Sequence, residues 1–364
     1  MMKACAASEA FFYVDQTRDG VTYRIFSYRL ASYTDFCMPD ALNCRGTMFQ
    51  MEGDAPVRLA SLPFEKFFNH GENPFTLDVD FTQTKVITVK QDGSLISSYM
   101  HNDSLALKSK ASLASEQAIA AEAFLARPEN EKFLIEVLAL TKLGFTVIME
   151  WCSPNNRIVL PYARDGLFVL GIRLNADGTY VHFKSDAPLT VKNNWTPMVT
   201  HHYETDAEFV SNVPKLTEIE GYVITLENDQ KIKIKTEWYL VRHRLKDSIS
   251  HPRHLFEAII TESVDDVKTL FAEDVQTLDT IARMEQMVIP KYNHMISTVE
   301  GFYAENKELS RKDYALKAQA LDDGYMGLYM NMYLGRTNDY KAFAVKYYET
   351  FGVKDFQMVV NAGD

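Results

Sequence analysis

Positive charge is in short supply in this 364-residue sequence: 38 Lys and Arg face 49 Asp and Glu, a formal net charge of −11. That deficit excludes a protein held to nucleic acid by bulk charge. Any contact with RNA or DNA must be transient, salt-sensitive and made by a local basic cleft. Cysteine is equally sparse. Cys5, Cys37, Cys44 and Cys152 have no metal-ligand spacing and read as free thiols of a reducing cytosol. No apolar run approaches the length that spans a bilayer, and Met1-Met2-Lys3-Ala4-Cys5 opens no signal peptide, so no membrane association is expected. Internal repeats and low-complexity linkers are missing, and from His251 onward so are strand signals.

What the sequence has is apolar content, 46% hydrophobic and 12% aromatic, on a length that fills two domains. Up to about residue 245, β-branched and aromatic runs alternate with turn residues. Residues 10–14 and 21–28 flank Asp19-Gly20, residues 44–51 and 57–60 follow, and residues 105–110 make a short strand ending in cations. Residues 113–127 and 129–143 have helical spacing. Residues 145–151, 158–162 and 167–173 read as strands, 183–215 carry no clear pattern, and 221–226 with 231–235 form a hairpin pattern. Beyond that, Leu278, Ile281, Met284 and Val288, then Tyr292, Met295, Val299 and Phe302, recur at helical intervals. Pro290 is expected to bend or split that element, and helices are expected at about 312–334 and 338–350. The expectation is an α+β fold: antiparallel sheets over residues 1–245, then an all-α domain over 246–364.

The organising stretch is Lys90-Gln91-Asp92-Gly93-Ser94-Leu95. Residues 84–89 before it are β-branched and residues 95–99 after it resume alternation, so a hairpin-like turn is expected. K-x-D-G is the nucleophile motif of enzymes that carry a nucleoside monophosphate on a lysine nitrogen. A lysine before an Asp-Gly turn is commonplace, so the weight comes from its surroundings. Arg45, Lys66, Lys110, Glu150, Glu220, Lys233 and Lys235 fall at strand ends. In Lys233-Ile234-Lys235 both lysines share one strand face and Ile234 takes the other; alone, that is an exposed basic strand. Glu220 precedes Gly221, which permits close backbone approach; alone, that is an ordinary strand start.

The order and spacing of these pieces resemble the covalent nucleotidyltransferase superfamily of ATP-dependent ligases and capping enzymes, with its K-x-D-G, strand glutamate, E-G-x-V and K-x-K motifs. More narrowly, the chain resembles the ATP-dependent RNA ligase 1 family of T-even-type bacteriophages. That resemblance rests on Tyr23-Arg24-Ile25-Phe26-Ser27-Tyr28, Pro39-Asp40-Ala41-Leu42 with Cys44-Arg45-Gly46, Glu65-Lys66-Phe67-Phe68-Asn69 and Glu72-Asn73-Pro74-Phe75-Thr76. It continues through the Lys90 stretch, Lys108-Ser109-Lys110, Asn156-Arg157-Ile158-Val159-Leu160, Glu220-Gly221-Tyr222-Val223, Lys233-Ile234-Lys235 and Trp238-Tyr239. It covers nearly the whole chain and weakens after about residue 275.

The resemblance implies an ATP-dependent RNA ligase acting in three steps: a lysine attacks the α-phosphate of ATP, AMP passes to an RNA 5′-phosphate, and an RNA 3′-hydroxyl displaces AMP. Lys90 is implied as the adenylylated nucleophile. Its pKa of about 10.4 in the free side chain must fall before it attacks, and partial burial beside Arg45, Lys66, Lys233, Lys235 and Mg²⁺ (or Mn²⁺) is expected to lower it. The resemblance places Tyr28, Arg45, Lys66, Lys233 and Lys235 on the nucleotide's phosphates and Glu150 on the ribose or in support of the metal. Glu220 is implied near metal-bound water and Lys110 in a further catalytic role. Phe68 packs on the adenine or is a core residue. Tyr239 and Asp265 match positions near a metal, with helix capping the other reading of Asp265. Gln91 stands where relatives carry acidic residues. Further implications are a nucleotidyltransferase domain, a C-terminal domain that recognises RNA, a cleaved tRNA anticodon loop as substrate, and a polynucleotide kinase-phosphatase as functional partner. A monomer in the cytoplasm of an infected bacterial host completes the expectation. A DNA ligase or GTP-using capping enzyme shares Lys90 and the Lys233/Lys235 pair but usually ends in a stranded OB barrel; an inactive RNA-binding protein is the non-enzymatic alternative. His201-His202 and His251-Pro252-Arg253-His254 lack companion Cys or His ligands and read as loop histidines, and Asn194-Trp195-Thr196 fits a sequon by pattern only.

Overall fold

The computed structural model describes residues 1–181, 194, 207–271 and 274–358. His201-His202 and most of the unpatterned 183–215 stretch, with Trp195 and Thr196, lie outside the described residues. The fold divides into two compact units, Met1–Val241 and the chain from Arg242 on.

In the first unit, β1 (Phe11–Arg18), β2 (Val21–Tyr28), β3 (Met48–Glu52) and β4 (Ala55–Ser61) form an antiparallel sheet in sequence order. Then come β5 (Phe68–Asn69), β6 (Thr84–Val89), β7 (Ser94–His101), β8 (Ser104–Lys108), β9 (Phe145–Cys152), β10 (Gly166–Leu174), β11 (Tyr180–Val181), β12 (Gly221–Leu226) and β13 (Lys231–Lys235). They make two more sheets, ordered β11-β10-β9-β7-β8 and β5-β13-β12-β6. Pairing is antiparallel except where the short β5 runs parallel to β13. The mixed α+β expectation with antiparallel sheets holds.

Short helices α1 (Met2–Ala7) and α2 (Tyr33–Phe36) accompany the first sheet. The longer α3 (Glu116–Leu125) starts on Ser115, whose side chain caps Ala118 N–H, and α4 (Glu131–Lys142) buries Phe133, Val137 and Thr141 at four-residue spacing. Both cover one face of the five-stranded sheet, packing Ala118, Ala121, Phe133 and Val137 on Val147, Met149 and Val169. On its other face Tyr99 and Ala106 meet Tyr23, Ile25, Met48 and Ala60 of the first sheet. Covered on both sides, β7 is buried along its whole length. The third sheet turns Ile87, Ile224, Ile232 and Ile234 onto Val213, just after α5 (Ala207–Asn212). That burial puts the lysines of β13 on the opposite face.

The stretch at Lys90 departs from the sequence expectation. β6 pairs with β12, whereas β7 pairs with β8 and β9. Residues 90–93 therefore carry the chain from one sheet to another instead of closing a hairpin. Residues 158–162, read as a strand, form a loop that lends its backbone to Asp92.

In the second unit, α6 (Glu237–Ile249), α7 (Pro252–Ile260), α8 (Val264–Leu270), α9 (Val275–Asn306), α10 (Arg311–Gln319), α11 (Met326–Tyr333) and α12 (Tyr340–Lys346) follow, the division between units falling within α6. Pro290 does not split α9: Met284, Val288, Met295 and Val299, all buried on either side of it, hold both halves against one core. The single helix expected over 312–334 is instead two, broken at Asp322, with φ 47°, and Gly324, with φ 82°. No helix among the described residues is long and apolar enough to cross a membrane.

Candidate active site

Lys90 directly follows β6, its N–H donating to Gly221 O at 2.9 Å, at the point where the chain leaves the third sheet. Two contacts fix the crossing. Asp92 is 1% exposed, and its Oδ2 accepts from Val159 and Leu160 N–H at 2.8 and 2.7 Å, its Oδ1 from the Tyr239 hydroxyl at 2.6 Å. Gly93 lies flat against β9, where a Cβ would sit 2.2 Å from Trp151 O, so only glycine fits. Its N–H donates to Glu150 Oε1 at 3.2 Å.

Between the second and third sheets lies a cavity of about 290 Å³. Tyr28, Arg45, Lys66, Lys90, Glu150, Lys233 and Lys235 all line it. Six cationic side chains, with Lys231, face two carboxylates, Glu150 and Asp229, in a protein that is acidic overall. Among the described residues Arg45, Lys66, Lys231 and Lys233 have no ion-pair partner, and Arg45 Nη1 is buried without any hydrogen bond. Uncompensated donors converging on a cavity make an anion site.

Glu220 stands behind this wall, almost wholly buried, its Oε2 2.9 Å from Lys90 Nζ and its Oε1 2.9 Å from Lys235 Nζ. Burial pulls the Lys90 amine down, but the carboxylates of Glu220, Glu150 and Asp92 outweigh it and hold the amine above its ordinary value. This corrects the expectation that neighbouring cations make Lys90 neutral: its nearest charged neighbour is a carboxylate. The cations act on Lys233 instead, which burial and then Lys66, Lys90, Lys235 and Arg45 bring down to about 7. Burial raises Glu150 to about 7, whereas Lys90 and Lys235 overcome burial at Glu220 and lower it.

Other sequence candidates stand apart. Phe68 does not line the cavity; it is 5% exposed and stacks on Phe75 at 5.6 Å, in a core that the local bonds of Asn69, Glu72 and Thr76 fold into place. Its neighbours Lys66 and Phe67 both face the cavity. Lys110 lies outside the lining, with its Nζ 5.5 Å from the Tyr28 ring, as is that of Lys66. Tyr239 is 2% exposed and spends its hydroxyl on Asp92, so it supports the Lys90 loop from behind. Asp265 belongs to the second unit, exposed on α8 with Lys268 3.7 Å away; Ser263 holds the cap position. Among the described residues no group of three His, Cys, Asp or Glu is arranged to hold a metal, His251 and His254 included. All four cysteines are free. Sequence reasoning missed Phe64, Leu170, Tyr180 and Lys231 of the lining. Leu170 reaches it through a bulge between Val169 and Gly171; Lys231 was legible as one more step of the alternation that yields Lys233 and Lys235.

A sequence model described as RNA ligase matches residues 43–239, and one described as T4 RNA ligase 1, C-terminal domain matches residues 246–360. The chain belongs to the RNA ligase family. RNA ligase 1 of Bacteriophage TS2126 is 26% identical over 313 residues, 83% of this chain and 76% of that protein. The RNA ligase of Rhodothermus phage RM378 is 21% identical over 329 residues, 73% and 74% of the two chains. Among solved structures, a mutant of the Naegleria gruberi RNA ligase, determined with ATP and Mn, matches 45% of this chain and 52% of its own at 17% identity, with a TM-score of 0.34. As a member of an RNA ligase family this chain is an enzyme, and every cation that the family resemblance assigns to the phosphates lies on the wall of one cavity.

Proposed function

We propose that the chain is an ATP-dependent RNA ligase that joins 5′-phosphate and 3′-hydroxyl RNA ends through a lysyl-AMP on Lys90 and an adenylylated RNA 5′ end. The observation that carries this reading is a lysine fixed beside a strand end in a cavity where, among the described residues, Arg45, Lys66, Lys231 and Lys233 have no ion-pair partner and Arg45 Nη1 is left without an acceptor. Arg45, Lys66, Lys233 and Lys235 bind the phosphates and stabilise the charge that builds on them in transfer. Lys90 Nζ forms a bond to the α-phosphorus as pyrophosphate leaves; the RNA 5′-phosphate then takes the AMP and frees the amine, and the 3′-hydroxyl displaces AMP. An ammonium cannot attack, so the proton on Lys90 must leave to solvent first, and weakening the 2.9 Å ion pair with Glu220, which holds that proton in place, favours the loss.

The donor set fits a hard cation shared with a triphosphate, since Glu150 offers oxygen on the cavity wall at the Lys90 end, with Glu220 behind it, and no protein cage of three ligands is needed for that mode. Bound Mg²⁺ or Mn²⁺ supplies positive charge that offsets the field of Glu220 and favours the neutral amine. Tyr239 positions Lys90 through Asp92. Because ligation needs 5′-phosphate and 3′-hydroxyl ends, a polynucleotide kinase-phosphatase that heals broken ends is the partner activity, and the helical second unit recognises the RNA, a tRNA cut in its anticodon loop. The protein works as a monomer in the cytoplasm of an infected bacterium.

Incubation with labelled ATP or GTP, followed by single-stranded RNA, a nicked anticodon stem-loop or DNA ends, tests this. Label transfer from ATP and joining of RNA are expected. Transfer from GTP, or joining of DNA in preference to RNA, would select the capping-enzyme or DNA-ligase alternative, and no transfer at all the inactive RNA-binding one.

A further inference from the structure

The cavity face of β13 carries a third lysine that the proposed chemistry leaves unused. Lys231 is four residues before Lys235, so at a rise of about 3.3 Å per residue it stands roughly 13 Å along the cavity from the Lys90–Glu220–Lys235 group. It pairs across the sheet with Thr225, which pairs in turn with Val86, and Phe64, Leu170 and Tyr180 complete an apolar end wall. That backbone separation is long enough for a nucleotide to lie along the cavity with its α-phosphate at one end and its base at the other.

The side chain is held rigidly. Its Nζ lies 3.5 Å from the centroid of the Tyr180 ring and 5.1 Å from that of Phe64, and it donates to Asp229 O at 3.3 Å. Lys85 pairs with the Asp229 carboxylate at 3.4 Å, and the Lys231 ammonium takes the Asp229 carbonyl instead. Arg173 also lies over the Tyr180 ring, at 4.9 Å, and is itself bound to Gly178 O, Asn43 Oδ1, Pro63 O and Glu65 Oε1. The ring is therefore a fixed platform. An ammonium has three N–H groups; one goes to a carbonyl and one is met by a ring face, which leaves one for whatever fills the cavity.

We propose that Lys231 reads the nucleobase: its ammonium donates a hydrogen bond to an in-plane ring nitrogen of the purine at this end of the cavity, making it a specificity-determining residue. This rests on ATP occupying the cavity as proposed above. The bond rewards an acceptor nitrogen and gains nothing from the C–H that replaces it in a deaza-purine. Burial brings the Lys231 amine down to about 8, as expected of a cation largely withdrawn from water.

The test is single-turnover adenylylation of the full chain with Mg²⁺, followed against concentration for ATP and its 1-deaza, 3-deaza and 7-deaza analogues, in the parent and in Lys231→Met. Methionine keeps a long apolar stem over Tyr180 and removes the donor. The apparent Kd of the variant for ATP is expected to rise roughly ten- to hundredfold with the saturating rate within a few fold. One deaza analogue should bind the parent as weakly as ATP binds the variant, and the variant should not tell that analogue from ATP. A lysine with only a packing role would lower thermal stability on substitution yet leave discrimination among the analogues unchanged, which overturns the inference. So does a parent that binds all three analogues as it binds ATP, a result that stands even if Lys231→Met fails to fold. If the parent takes no AMP from ATP, the proposed function falls first and this inference with it.

Discussion

Lys90 Nζ lies 2.9 Å from Glu220 Oε2, so the proposed nucleophile is held as an ammonium by a buried carboxylate that also grips Lys235. On the proposed function, weakening that ion pair is what frees the amine for attack.

The sign of that effect is testable. Glu220 raises the Lys90 pKa, and attack requires the neutral amine, so removing the charge must favour attack at lower pH. In Glu220→Gln the rising limb of the adenylylation rate against pH should move down by roughly one unit or more, even if the maximal rate falls. Rates of AMP transfer to protein between pH 6 and 9.5 measure it; a limb that stays in place would show that another group titrates.

Tyr239→Phe deletes the 2.6 Å bond to Asp92, which keeps its two backbone donors. A buried bond to a charged acceptor is worth about 1.5–3 kcal/mol. Thermal unfolding should report a loss of that size, and single-turnover adenylylation should slow because the Gln91–Gly93 crossing is less firmly placed. An unchanged rate with lowered stability would confine Tyr239 to the fold.

Gly93→Ala should be far more severe. Its Cβ would meet Trp151 O at 2.2 Å and Cys152 Sγ at 2.9 Å, both on a central buried strand that cannot retreat. The expected outcome is loss of AMP transfer with a depressed unfolding temperature. An alanine variant that transfers AMP at the parent rate would contradict the described crossing.

Lys108 offers a pH test outside the cavity. It is fully buried, its Nζ donates only to Ser109 O at 3.0 Å, and burial brings its pKa from 10.5 to about 7. Between those values the unfolded chain binds the proton and the folded chain does not, so this group makes stability rise with pH above 7, and its penalty is complete below 7. Lys108→Met should therefore gain on the parent most at pH 6. By pH 9 that gain should shrink by roughly 2–3 kcal/mol, two units at about 1.4 kcal/mol each. Denaturant unfolding of both proteins at the two pH values checks it; an equal difference at both would mean that Lys108 is not buried uncharged.

Several features of the site were legible because they depend on local rules. Alternation put Lys233 and Lys235 on one face and Ile234 in the core. The same rule, carried one step back, reaches Lys231. What local rules could not supply is long-range satisfaction. Asp92-Gly93 has the composition of a hairpin turn, yet its carboxylate is consumed by Val159, Leu160 and Tyr239, 67 to 147 residues away, and that pulls the chain into another sheet. The β-branched run at 158–162 fails as a strand for the reciprocal reason, since two of its N–H groups are already bound. The charge state of Lys90 is not legible in the motifs because it is set by Glu220, Glu150 and Asp92, which the fold gathers around the amine.

The most direct measurement is the intact mass of the purified chain after incubation with ATP and Mg²⁺, followed by mapping of the modified residue. The account predicts the gain of one AMP, on Lys90, absent from Lys90→Ala and released when 5′-phosphorylated RNA is added. An unmodified chain, or an adenylate on a different residue, would contradict it.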